Sequence, residues 1–235
     1  MVPTRDIDCG EIYERKRREL VALLTECGAE ELAQTVPATP AWSVRDVLAH
    51  VVGVAADLNA QDFGTGDPEA WTSAQVAARR DKSVADLGRE WDREAPMFEE
   101  GLRLFGYELG CHYVGDLLQH TGDVRHALGL TRPADDEALV VALDLYLMSF
   151  DDSLTDAQLG AVEITVDPEH WTLASGPVVA SISADRYELF RSLGGRRSED
   201  QVRALTWSGD VDTIVALVSR YPMSPAPIVT EVTSP

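Results

Sequence analysis

The chain of 235 residues carries 20 Lys plus Arg against 40 Asp plus Glu, a net charge of −20, and its length suits one large domain or two small ones. That charge repels a phosphate backbone or an anionic lipid surface, which argues against nucleic acid or a membrane as partner. At 45% hydrophobic and 26% charged, the composition is that of a globular chain that folds unaided, not of a disordered acidic one.

From Glu11 to about Leu130, apolar residues recur with a helical period between Pro and Gly punctuation. A first helix is expected from Asp8 or Glu11 to Cys27, with Ile12, Leu20, Val21, Leu23 and Leu24 on its apolar face and Gly28 as C-cap. Thr35 to Ala41 holds two prolines and reads as a connector. Ser43 as N-cap, with Asp46 three residues later, opens a second helix that continues to about Asn59. A loop follows over Gly64 to Pro68, then a third helix over Ser73 to Arg80 and a fourth over Ser83 to Leu104. Gly106 and Gly110 read as an interruption before a fifth helix, Cys111 to Leu128, which Gly129 and Pro133 stop.

There the pattern changes. Asp136 to Ser149 reads as a helix, whereas Ala161 to Val166, His170 to Ala174 and Val178 to Ser183 are short β-branched runs separated by Asp-Pro and Gly-Pro turns. Asp185 to Leu193 is an expected helix, Val202 to Trp207 an expected strand and Val211 to Arg220 a closing helix. Pro222 to Pro235, with four prolines, reads as an ordered tail that frays. The expected architecture is therefore α+β: an up-and-down four-helix bundle over 1–133, then a smaller α+β domain over 134–235. Both parts are acidic, so charge does not assign them different partners.

Cys9, Cys27 and Cys111 form no CxxC pair and leave one over after any pairing, which argues for reduced thiols. No apolar run approaches the roughly 18 residues of a membrane span, and Met1 to Gly10 lacks a leader pattern, so a cytoplasmic location is expected. Arg outnumbers Lys 18 to 2, the bias expected of a high-GC bacterial source.

Helical phase separates the histidines. At about 100° per residue, Val44, Val47, Leu48, Val51 and Ala55 define an apolar stripe on the second helix, with His50 at its edge. On the fifth helix Tyr113, Leu117, Val124 and Leu128 form the stripe, His120 lies about 60° from Leu117, and Asp116 is about 40° further round. An Asp and a His at i and i+4 have Cβ atoms roughly 5 to 6 Å apart, close enough for both to ligate one ion. Burying them is costly without partners, and a divalent cation bridging them to His50 would supply one. On spacing alone the alternative, ordinary hydrogen-bonded core histidines, stays open. His112, about 80° in phase from His120, is the weaker candidate. His126 and His170 read as surface or packing residues, and Cys111 as a structural thiol with no base beside it.

Three motifs carry a resemblance. Pro40-Ala-Trp42-Ser43-Val-Arg45-Asp46-Val-Leu-Ala-His50-Val and Gly115-Asp116-Leu-Leu-Gln-His120-Thr-Gly-Asp123-Val-Arg125-His-Ala-Leu-Gly129 resemble the two signatures of the DinB-like superfamily's mycothiol-dependent maleylpyruvate isomerase family. Gly195-Arg196-Arg197-Ser198 and Val202-Arg203-Ala-Leu-Thr-Trp207-Ser-Gly-Asp210 are similar to the C-terminal domain of its actinobacterial members. The resemblance implies metal ligands at His50, Asp116 and His120, with Asp116 standing where the isomerase has a Glu one methylene longer. It implies mycothiol as the low-molecular-weight thiol cosubstrate, and an isomerase or S-transferase acting on a small electrophile through a metal-bound thiolate.

Two imidazoles and one carboxylate suit Zn²⁺ first, with Ni²⁺ or Fe²⁺ possible on the same set. An anionic thiol or keto acid would need local positive charge, for which Arg45 and Arg125 are candidates on the cosubstrate and Arg196 and Arg197 on the substrate or thiol anion. Arg125 also reads as a surface residue, and the Arg196-Arg197 pair as a solvated turn. The competing function is a non-catalytic small-molecule-binding or regulatory protein of the same fold. A metal-dependent hydrolase ranks third, with only Asp123 or Glu108 to serve as base. A monomer or homodimer is expected.

Overall fold

The computed structural model describes residues 2, 4–64 and 66–229. The described residues divide into two compact units, 6–133 and 134–229, the latter joined by the described N-terminal residues through Arg5.

The first unit is helical. Helix α1 (Cys9–Thr25) starts where Asp8 accepts a bond from the Glu11 amide at 2.9 Å. Gly28 does not cap its end: its backbone is extended, and it opens a short helix α2 (Ala29–Leu32), with Glu31 accepting the Gly28 amide proton at 2.7 Å. The stretch expected as a connector forms a small antiparallel hairpin, β1 (Thr35–Val36) with β2 (Thr39–Ser43). Helix α3 (Val44–Asn59) begins in the Ser43/Asp46 capping box that the sequence signals, a cap that contributes about 1 kcal/mol.

Helix α4 (Pro68–Ala78) starts more than a turn before Ser73, because Asp67 caps it and Pro68, whose missing N–H costs nothing in the first turn, sits just inside. Helix α5 (Val84–Leu104) follows a second Ser/Asp capping box at Ser83 and Asp86. Helix α6 (Tyr107–Ala127) begins earlier than Cys111 and runs straight through Gly110. A Cβ at Gly110 would lie 2.5 Å from the Cys9 Cβ, so this glycine marks a close approach of α1 to α6 and not a break.

Helices α1, α3, α5 and α6 pack as an up-and-down bundle, around a fully buried Leu24, Leu48, Leu87 and Trp91. Tyr13 meets the Trp91 ring edge-on at 6.2 Å, a geometry that favours aromatic quadrupoles as well as apolar burial.

In the second unit helix α7 (Glu137–Ala157) extends well beyond Ser149. It is followed by β3 (Ala161–Val166), β4 (Glu169–Leu173), β5 (Val178–Ser183), α8 (Arg186–Leu193), α9 (Glu199–Arg203) and β6 (Thr206–Gly209). The sheet order is β4-β3-β5-β6, with β3 and β5 parallel and both edge pairs antiparallel. Alternation along β3 buries Val162, Ile164 and Val166, the face that covers the core.

The strand expected over Val202 to Trp207 is displaced, because a Ser198/Gln201 capping box draws that segment into α9 and the strand forms later, pairing Trp207 with Ile182. The expected closing helix is also shorter. α10 (Val211–Ile214) passes into a 3₁₀ turn, Val215–Leu217, and the Arg220 amide bonds the Leu193 carbonyl at 2.9 Å instead of continuing a helix. The tail is held as far as Ile228, whose N–H and C=O both bond the Gln201 amide side chain, while 230–235 lie outside the described residues. Arg5 is drawn into this unit by Asp144, a fully buried carboxylate that takes the guanidinium as partner at 3.1 Å. Among the described residues no helix is long and apolar enough to cross a membrane.

Candidate metal centre

His50 projects from the second turn of α3, and Asp116 and His120 lie one turn apart on α6. The structure brings all three together, with one ligand atom from each within 4.8 Å of the others. Both imidazoles are buried and Asp116 is half-buried. His120 Nε2 stands 3.7 Å from an Asp116 carboxylate oxygen, and the His50 and His120 rings meet edge to face at 4.9 Å. A cation with ligands at about 2.0–2.2 Å needs its donors somewhat closer than this, a gap that small side-chain rotations close.

Each imidazole has a polar neighbour behind it. His50 Nδ1 lies 2.8 Å from Gln75 Oε1, and Gln75 in turn donates its Nε2–H to Asp57 at 2.8 Å. The amide oxygen can only accept, so the His50 proton belongs on Nδ1 and the ring's lone pair on Nε2. His120 Nδ1 lies 3.4 Å from Asp123 Oδ2, a carboxylate with no exposed surface. At this distance the two groups are close neighbours without a hydrogen bond between them, and His120 Nδ1 is a buried nitrogen that makes no hydrogen bond. Trp42, at the end of β2, covers both rings, 4.9 Å from His50 and 6.2 Å from His120. The donor set and its supports therefore fit a divalent cation of the Zn²⁺ type.

The supports follow from local packing. A Cβ at Gly53, one turn past His50, would sit 2.6 Å from the Gln75 Cβ, so the glycine is what lets α4 come close enough for Gln75 to reach the imidazole. The end of α4 is pinned in turn. Arg79 and Lys82 both bind Glu90 of α5, at 2.9 and 2.5 Å, and Arg45 donates to the carbonyls of Arg79 and Lys82. Glu90 is pushed up by burial, but Lys82 and Arg79 outweigh this and hold its pKa below the ordinary carboxylate value. Tyr113, one turn before Asp116, has its phenol pushed up by burial and then by the Asp116 charge, so it keeps its proton at neutral pH.

The arginines singled out from the sequence are engaged elsewhere. Arg45 secures the last turn of α4, as just described. Arg125 donates to the Thr131 carbonyl at 2.6 Å and stiffens the end of α6. Arg197 is buried and makes a two-pronged pair with Glu188, and Arg196 donates to the Gly194 carbonyl at 3.1 Å. Each of the four guanidinium groups thus has hydrogen-bond acceptors within the fold, carbonyls for Arg45, Arg125 and Arg196 and a carboxylate for the buried Arg197. His112 stacks against Tyr113 at 4.8 Å, and His170 lies exposed on β4 beside Thr165. Cys111 is buried and donates its thiol to the Glu108 carbonyl at 3.2 Å.

Gln75 and Asp57 are the site residues that the sequence does not reveal. Gln75 sits on a separate helix, outside both motifs, and no spacing rule links it to His50. Asp123 is visible three residues after His120 but reads from sequence only as a base.

The model of the mycothiol maleylpyruvate isomerase N-terminal domain matches residues 13–115. The match includes His50 and ends at the residue before Asp116. Among solved structures, the mycothiol-dependent maleylpyruvate isomerase is similar to this chain at 16% identity with a TM-score of 0.52, covering 86% of this chain and 93% of that one. A mutant form of that isomerase gives 14% identity and a TM-score of 0.49 over the same shares. At 16% identity the first of these shows a shared fold. No curated protein sequence matches the chain. Over residues 13–115 the chain is therefore similar to the mycothiol maleylpyruvate isomerase N-terminal domain family, as the motifs around Trp42 and His50 imply.

Proposed function

We propose that this protein is a cytoplasmic, metal- and mycothiol-dependent enzyme that isomerises a small electrophile or transfers the thiol to it. The observation that carries this reading is the His50, Asp116, His120 cluster, in which one ligand atom from each residue lies within 4.8 Å of the others. The similarity of residues 13–115 to that family supports the choice of thiol.

A bound divalent cation supplies Lewis acidity, which favours the thiolate form of a thiol at neutral pH. The remaining work falls to the chain. His50, Asp116 and His120 would hold the ion. Gln75 accepts from His50 Nδ1 and so orients that imidazole, while the Asp123 carboxylate lies 3.4 Å from His120 Nδ1. Trp42 packs against both rings, which are buried, and burial strengthens charge interactions there. The Tyr113 phenol, protonated across the neutral range, offers a hydrogen-bond donor one turn from Asp116.

Purified protein should contain about one divalent ion per chain, and conversion of electrophiles should require both the ion and mycothiol. His50→Ala should lose the ion, and His120→Ala should lose the ion and at least 100-fold in kcat/KM. Full metal content in His50→Ala overturns the ligand assignment. Conversion without any thiol points to hydrolysis instead.

A further inference from the structure

Between the same helices that carry the ligand cluster, further along α3 and α6, lies a cavity of about 480 Å³, within the range of small-molecule sites. Its lining includes Leu58 at the end of α3, Met97, Phe98 and Phe105 at the end of α5, and Leu109 and Tyr113 at the start of α6. His50 meets His120, while Leu58 and Tyr113 share the cavity, so α3 and α6 run antiparallel and the cavity follows the cluster along one seam. On α6 the stripe Leu109, Tyr113, Asp116, His120 advances in steps of three and four residues, which places the cavity wall one turn, about 5 Å, from the Asp116 ligand.

The chemistry of the cavity is one-sided. None of its lining residues is Lys, Arg, His, Asp or Glu. The side-chain amide of Asn59, also in the lining, is bound to Glu94 at 2.9 Å. Phe105 is 75% exposed and Met97 59% exposed, apolar surface that water solvates poorly and that a ligand would cover. A dicarboxylate entering here would lose hydration with no cation to replace it. The arginines nearest in sequence to the cluster, Arg45 and Arg125, are bonded to backbone carbonyls.

We infer that this cavity binds the apolar body of an uncharged alkyl or aryl electrophile, an inference that rests on the thiol-dependent reading above and names its substrate class. The favoured outcome is then S-transfer. The thiol sulfur forms a bond to the electrophilic carbon, the leaving group departs as an anion with the bonding pair, and the thiol proton passes to solvent.

Gly101→Leu tests this. A Cβ at Gly101, which lines the cavity, would meet only Phe105 ring carbons at 3.8 Å, an ordinary contact, so the larger side chain fills the cavity without moving backbone. Leu109→Glu, at a partly exposed position, places a charge in the same wall and serves as the second variant. Binding is read with uncharged N-phenyl-1-naphthylamine on the metal-replete protein. Turnover is read with mycothiol and 4-nitrobenzyl chloride, iodoacetamide or maleylpyruvate, and metal content by elemental analysis.

The expected result is naphthylamine binding by the unsubstituted protein. Both variants should lose at least tenfold in that binding and in kcat/KM for 4-nitrobenzyl chloride, with iodoacetamide turnover within twofold and metal content unchanged. No naphthylamine binding, or maleylpyruvate turned over best and equally by all three proteins, overturns the inference and leaves the enzyme reading standing. Binding that the variants abolish, with no thiol-dependent turnover of any electrophile, overturns the enzyme reading and with it the electrophile, leaving a site for apolar ligands.

Discussion

His50 Nδ1 and Gln75 Oε1 lie 2.8 Å apart across two helices that are not joined by any motif. The contact decides which histidine nitrogen carries the proton, and so whether the other can act as a ligand. Gln75→Leu should lower divalent-ion affinity by about 10- to 100-fold, measured by competition with a chromogenic chelator. Gln75→Glu, which keeps the acceptor, should retain most of it. Equal affinity in the leucine variant and the unsubstituted protein would show that the amide does not orient His50.

Gly53 sets that distance. Gly53→Ala puts a methyl group 2.6 Å from the Gln75 Cβ, a contact that must be relieved by moving α4. The helix-propensity gain from Gly to Ala is about 1 kcal/mol, and overpacking costs typically 1–3 kcal/mol. The variant should therefore be no more stable in urea than the unsubstituted protein, and it should bind the ion more weakly. A gain in stability with unchanged affinity would mean that α4 yields without cost.

Glu90 gives the predicted pH dependence. Its folded pKa lies below the ordinary 4.5 because Lys82 and Arg79 outweigh the effect of burial. The stabilisation it brings is thus fully present above about pH 4.5 and is lost as pH falls through the lower, folded-state value. Glu90→Gln should cost about 2 kcal/mol at pH 7, and the difference from the unsubstituted protein should shrink in urea melts run at progressively lower pH. A difference that stays constant from pH 7 to pH 3 would assign the loss to packing alone.

We propose that the two units are folding domains in their own right, joined near Arg132. Limited trypsin digestion should nick the chain there and leave two protease-resistant fragments, each with native-like circular dichroism. Because Arg5 pairs with Asp144, the bond after Arg5 should stay protected from trypsin until that ion pair is removed by Asp144→Asn. Degradation of either fragment straight to small peptides would contradict independent folding.

Several features were legible from sequence because their causes are local. Ser43 with Asp46 and Ser83 with Asp86 satisfy backbone donors three residues away, so the starts of α3 and α5 follow from a four-residue window. Helical phase alone placed Asp116 and His120 side by side, since residues four apart on one helix are neighbours whatever surrounds them. The motif resemblance pointed to His50 for the same cluster. What the sequence could not express were relations across space. Gly110 looks like a helix breaker until Cys9 of another helix is found against it, and only packing decides whether a glycine interrupts or admits. The four arginines looked available for anions because a sequence does not show which carbonyl or carboxylate will take up each guanidinium. Gln75 was invisible for the same reason. Its role depends on the approach of α4 to α3, which Gly53 permits and which the ion pairs of Arg79 and Lys82 with Glu90 hold in place.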